Sequence, residues 1–140
     1  MNAMIDGALA QALRAAGVRW NPQNGDWFCL VDDPSEPWLV APGAVELALI
    51  EGQPALLFHG ASEWALDSVL AYEVLWLPSE QQIRQLVLEL LGVDGRLSID
   101  VTHAGTRCRV HVDDWQYEAS ALTAVDAYAL AYLAVHGRIR

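Results

Sequence analysis

His59, Glu63 and Asp67 are spaced four residues apart, the interval that stacks side chains on one face of an α-helix. On an unbroken helix they would align an imidazole with two carboxylates as metal ligands. Gly60 interrupts that alignment, which leaves His59 at the end of a strand, Glu63 in a first helical turn where the macrodipole favours a carboxylate, and Asp67 on a solvated face. No metal and no cofactor are therefore expected. The same stretch carries Trp64 and leads on to Trp76. Glu63 and Asp67 beside these two indoles would form an acidic, Trp-lined cleft. Such a cleft offers ring faces to an aromatic or cationic ligand, and two carboxylates for acid–base work if their pKa values are pushed apart.

The other reactive side chains have simpler explanations. Cys29 and Cys108 each sit between apolar neighbours in strand-like runs and read as buried free thiols, whereas a reactive cysteine needs an electropositive, partly exposed setting. His103 and His111 fall on opposite faces of one hairpin, too far apart to share an ion. Ser62 and Ser79 are expected to cap helices, and no GxSxG elbow is present. Asp32-Asp33-Pro34-Ser35-Glu36-Pro37 reads as an exposed, proline-stiffened connection. The six tryptophans are expected mainly to close the core or a dimer contact.

Composition excludes more than the motifs suggest. All eight basic residues are Arg, so P-loop, Schiff-base and lysine-base chemistries are ruled out, and the ten glycines form no GxGxxG pattern. A formal net charge of −10 disfavours nucleic acid and anionic lipid as partners. No apolar run reaches the ~18 residues of a membrane span and no signal-peptide pattern opens the chain, so a cytoplasmic protein is expected. The 140 residues suit one domain, residues 1–140. Their apolar content of 54% is high for a small monomer, and a homodimer interface is expected to take the surplus.

The elements that must position these groups follow from pattern and punctuation. A helix is predicted from about Ala3 to Ala16 with Gly17 as its stop, then a turn over Trp20–Gly25. Strands are predicted at Trp27–Val31, Trp38–Val40, Val45–Ile50 and Ala55–Phe58. A helix is predicted from Ser62 to about Val69, and a second from Ser79, where Ser79 and Gln82 form a capping box and Ile83, Leu86, Val87, Leu90 and Leu91 recur at helical spacing before Gly92.

A turn at Ala104-Gly105 would pair Val101 with Cys108, Ile99 with Val110 and Leu97 with Val112 on an apolar face. The polar face would then pair Asp100 with Arg109 and Arg96 with Asp113. A second turn at Asp113-Asp114 would pair Val112 with Trp115, Val110 with Tyr117 and Arg109 with Glu118, so that Arg109 sits between Asp100 and Glu118. A last helix is predicted from Thr123, with Asp126 as its capping-box partner, to a stop at Gly137. The resulting class is α+β, with largely antiparallel sheet and about four helices in the order α-β-β-β-β-α-α-β-β-β-α.

The strings LRAAGVRWNPQNGDWF, EWALDSV, LWLPSEQQIRQL and DAYALAYL resemble a small family of high-GC bacteria whose members often carry the label "pilus assembly protein". The likeness touches the start, middle and end of the chain. It implies no ATPase here, because the P-loop and its lysine are missing, and it supplies no functional residues. Two functions are therefore weighed. The first is a noncatalytic, homodimeric protein-interaction module that binds a protein partner. The second is a small-molecule binder or small enzyme using Glu63, Trp64, Asp67 and Trp76.

Overall fold

An unbroken apolar run from Trp27 to Leu30 forms the centre of the first sheet, and in the computed structural model, which describes residues 3–59 and 68–139, it does so within the first of two compact units. This unit spans Gly17–Leu77. Strand β1 (Trp27–Leu30) lies between β2 (Asp33–Leu39) and β6 (Val74–Leu77), both antiparallel to it. A second antiparallel sheet has the order β3 (Val45–Ile50), β4 (Gln53–Phe58), β5 (Ser68–Leu70). A single 3-10 turn, Ala71–Glu73, joins β5 to β6.

Phe28 and Val74 from one sheet and Val45, Leu56 and Phe58 from the other share a single apolar core with Val40. Ring contacts tie it together. Phe28 lies 5.4 Å from Trp20 and 6.1 Å from Phe58, and Trp38 meets Phe58 edge-on at 5.2 Å. Glu51 and Gly52 both adopt positive φ, 51° and 80°, as the two-residue turn joining β3 to β4 requires.

Two expectations are corrected in this unit, and a strand appears that the expected element order lacks. Asp33–Pro37 is not a connection but most of edge strand β2; its edge position and the register shift opposite Phe28–Leu30 accommodate Pro34 and Pro37. The helix expected from Ser62 lies outside the described residues up to Asp67, and its last members, Ser68 and Val69, belong to strand β5 paired with Leu57 and Leu56. The segment before Pro78 is strand β6, whose pairing with β1 places Trp76 opposite Phe28.

The second unit joins the two ends of the chain, Met1–Ala16 and Pro78–Arg140. It holds α1 (Gly7–Ala15), α2 (Glu80–Leu91), a three-stranded meander β7 (Arg96–Thr102), β8 (Gly105–Val112) and β9 (Trp115–Ala121), and α3 (Ala124–Ile139). Helix α3 packs on β8 and β9 and is itself flanked by α1 and α2. Contacts on so many sides account for its Ala-rich, nearly all-round apolar surface.

Local rules hold closely at α2. Ser79 Oγ accepts the Gln82 N–H at 3.2 Å, and Gln82 Oε1 accepts the Ser79 N–H at 2.9 Å, the expected capping box. At α3 only half of the expected box forms. Thr123 Oγ1 accepts the Asp126 N–H at 3.3 Å, but the Asp126 carboxylate is taken by the Asp6 N–H at 2.8 Å, which ties the chain start to the last helix. Helix α3 also runs through Gly137 to Ile139 instead of stopping there.

The β8–β9 register is the expected one: Val112 faces Trp115, Val110 faces Tyr117 and Arg109 faces Glu118. Asp113 supplies the positive φ, 54°, that this turn needs. The β7–β8 register is displaced by two residues, with the turn at His103-Ala104, so Val101 faces Thr106, Ile99 faces Cys108 and Leu97 faces Val110. A slip of two residues leaves every side chain on its expected face but changes all its partners. Asp100 therefore faces Arg107, Arg96 faces His111, and Arg109 faces Ser98 and Glu118 instead of lying between Asp100 and Glu118. The fold is α+β as expected, with antiparallel sheets throughout, and among the described residues it has three α-helices rather than about four.

Candidate functional site

The expected acidic cleft is built from Glu63, Trp64, Asp67 and Trp76, of which the first three lie outside the described residues. Trp76 lies on β6, and its buried indole nitrogen has no hydrogen-bond partner among the described residues. His59 follows β4, donates its backbone N–H to Ala44 at 2.8 Å, and places Nε2 3.7 Å from Glu46 Oε2 on an exposed surface. Among the described residues, no three His, Cys, Asp or Glu side chains come together to hold a metal ion.

Both thiols are fully buried, Cys29 in β1 and Cys108 in β8. Burial pushes the Cys108 thiol up to about 11 and raises that of Cys29, with the nearby Asp33 charge adding to the latter. A thiol held protonated in this way is a poor nucleophile at neutral pH. His103 sits in the β7–β8 turn and His111 near the other end of β8. Arg107 and Arg109 converge on Glu118, with Nε–Oε1 at 3.6 Å and Nη2–Oε2 at 2.8 Å, in an exposed cluster on the polar face of the meander. Such solvated pairs organise a surface more than they stabilise it.

The apolar side chains left in solvent are more informative. Four of them lie on two edge strands, one in each unit. On β3, Leu47 is 43% and Leu49 74% exposed, beside a groove of about 310 Å³ between Asn21-Pro22 and Pro54-Ala55. On β7, Ile99 is 38% and Val101 67% exposed. Both strands end their sheets, β3 in the order β3-β4-β5 and β7 in the order β7-β8-β9. Alternation in the sequence assigns Ile99 and Val101 to a buried face. They remain exposed because α3 covers β8 and β9, while the edge strand receives only slight contact from α2.

Neither edge strand carries a proline or a lysine to keep it from pairing with another chain. Sequence reasoning did not single out these strands. The available signal was the absence of a gatekeeping charge on the apolar face of Arg96–Thr102, with Leu97, Ile99 and Val101 in alternation. Compared with family models, with curated proteins and with solved structures, the chain matches none of them.

Proposed function

We propose that this chain is a noncatalytic protein-interaction module that works through its sheet edges. The observation that carries this reading is the exposure of Leu47, Leu49, Ile99 and Val101 on two edge strands, where soluble chains usually place charge, proline or a bulge. The chemistry elsewhere is consistent with it: the thiols are buried and held protonated, and Glu118 is engaged by Arg107 and Arg109 on an exposed surface. Light scattering of the purified protein across concentration, with native mass spectrometry on the same sample, tests the reading. Association without added mass is expected. A monomer that retains a small molecule at every concentration overturns it.

One observation favours the second reading, a small-molecule binder around Trp76. Its indole N–H is a buried donor without a partner among the described residues, and a ligand acceptor would satisfy it. Native mass spectrometry separates the two, since only this second reading requires a retained ligand.

A further inference from the structure

We infer that the free edge of β7 pairs antiparallel with the same edge of a second copy, about a two-fold axis at Ile99. This deepens the interaction-module reading and rests on it, naming the surface and the occupant.

The direction of the backbone groups follows from the hairpin turn. Because the chain reverses through His103-Ala104, the closing pair Thr102 and Gly105 exchanges both of its hydrogen bonds. Asp100 with Arg107, Ser98 with Arg109 and Arg96 with His111 then do the same at every second position. The intervening residues Leu97, Ile99 and Val101 must turn their N–H and C=O groups away from β8, and among the described residues no strand pairs with that side. The strand is unbroken by proline, lysine or bulge over all seven residues.

These free groups select one self-pairing. With the two-fold at Ile99, Leu97 faces Val101 of the second copy, Ile99 faces Ile99, and Val101 faces Leu97. Three hydrogen-bonded pairs then use every outward-facing group of the strand. The apolar face gains a continuous Leu-Ile-Val row across the junction and covers the exposed Ile99 and Val101.

On the polar face the charges are complementary. Arg96 falls opposite Thr102 of the second copy and diagonal to its Asp100, while Asp100 falls opposite Ser98. The right-handed strand twist draws that diagonal together, within reach of an arginine, and the symmetry makes the Arg–Asp pair twice. The β3 edge is less suited to the same pairing. Its Val45 groups are already bonded to Ala41, at 2.9 Å and 3.1 Å, leaving only Leu47 and Leu49 to offer theirs.

A single added strand gives a contact at the small end of interface sizes, below the ~1,600 Å² typical of stable complexes. The dimer is therefore concentration dependent, with a Kd on the order of micromolar or weaker. The six-stranded sheet β9-β8-β7 continued by β7-β8-β9 of the second copy is the expected assembly.

The register makes the test specific. Ile99→Cys places two thiols opposite each other at a Cα separation of about 5.5 Å, within disulfide range. Val101→Cys places them four residue steps apart, about 13 Å, beyond that range. Under mild oxidation of the full chain, Ile99→Cys is expected to give a covalent dimer and Val101→Cys is not. In parallel, Asp100→Arg should weaken association about tenfold, and Arg96→Asp combined with Asp100→Arg should restore most of it, with circular dichroism verifying the fold of each variant.

A dimer that forms normally while Ile99→Cys stays uncrosslinked and Asp100→Arg has no effect overturns the β7 edge, yet leaves the interaction-module reading standing. A wild-type chain that stays at its 15.4 kDa monomer mass up to about millimolar concentration overturns the self-pairing. Retained ligand mass on that monomer overturns the module reading as well.

Discussion

Asp26 accepts the Trp20 indole N–H at 2.9 Å on Oδ2, and the same oxygen accepts the Gln23 N–H at 3.0 Å, in a residue only 7% exposed. The carboxylate joins the turn before β1 to a ring that packs tilted against Phe28 in the core. The Asp26 backbone carbonyl also accepts the Val40 N–H at 2.9 Å, next to the Gly25 N–H bond to Val40 at 2.8 Å. One residue thus organises the entry to the first sheet and its return. Asp26→Ala is expected to cost about 2 to 4 kcal/mol, since it leaves two buried or half-buried donors unmet. Urea unfolding measures the loss, and Trp20 fluorescence should shift toward that of a wetter indole.

The capping box of α2 predicts a smaller effect. Ser79→Ala removes the acceptor for the Gln82 N–H and should lower stability by about 1 kcal/mol, and Ser79→Asp should retain most of the wild-type value. A denaturant midpoint that does not move in Ser79→Ala would show that packing of Ile83, Val87 and Leu91 alone holds the helix end.

Two glycines are expected to respond in opposite directions. Gly105 has φ of +142°, and a Cβ there would lie 2.8 Å from the Ala121 carbonyl oxygen, so Gly105→Ala should destabilise the meander by about 1 to 3 kcal/mol. Gly137 is helical with open space around it, so Gly137→Ala should raise stability by about 0.5 to 1 kcal/mol. Thermal melts of the two variants check both signs against the wild type.

Alkaline pH should destabilise the protein. The Cys108 thiol keeps its proton to about 11 in the fold, against an ordinary 9.0, so between those values the folded chain holds a proton that the unfolded chain has released. Stability is therefore full below about pH 9 and falls as pH rises toward 11, by about 2 to 3 kcal/mol for this group. Cys29, Tyr128 and Tyr132 are raised chiefly by burial and act in the same direction. Denaturant midpoints from pH 8 to 11 measure the decline, and Cys108→Ser should flatten part of it. Under native conditions at neutral pH a thiol reagent should label neither cysteine until the chain unfolds.

The part of this structure legible in the sequence is the part governed by contacts between near neighbours. The Ser79–Gln82 box, the helical stripe from Ile83 to Leu91 and the Asp113-Asp114 turn with its β8–β9 register are all set within a few residues, and each stands where the sequence placed it. The hairpin β7–β8 was legible in its faces but not in its partners. A two-residue slip leaves the alternation intact, so the pattern of apolar and polar residues does not distinguish one register from the other.

Three features depend on groups distant in the chain and were decided by the tertiary structure alone. Strand β6 exists because it completes the sheet of β1, more than forty residues earlier. Asp126 turns from its own helix cap to the Asp6 N–H at the other end of the chain. Ile99 and Val101 stay exposed although their alternation marks them for burial, because the covering helix α3 lies over β8 and β9 and not over β7. Amino-acid pattern determines which face of a strand is apolar; what covers that face depends on where distant elements come to rest, and a single strand carries no record of it.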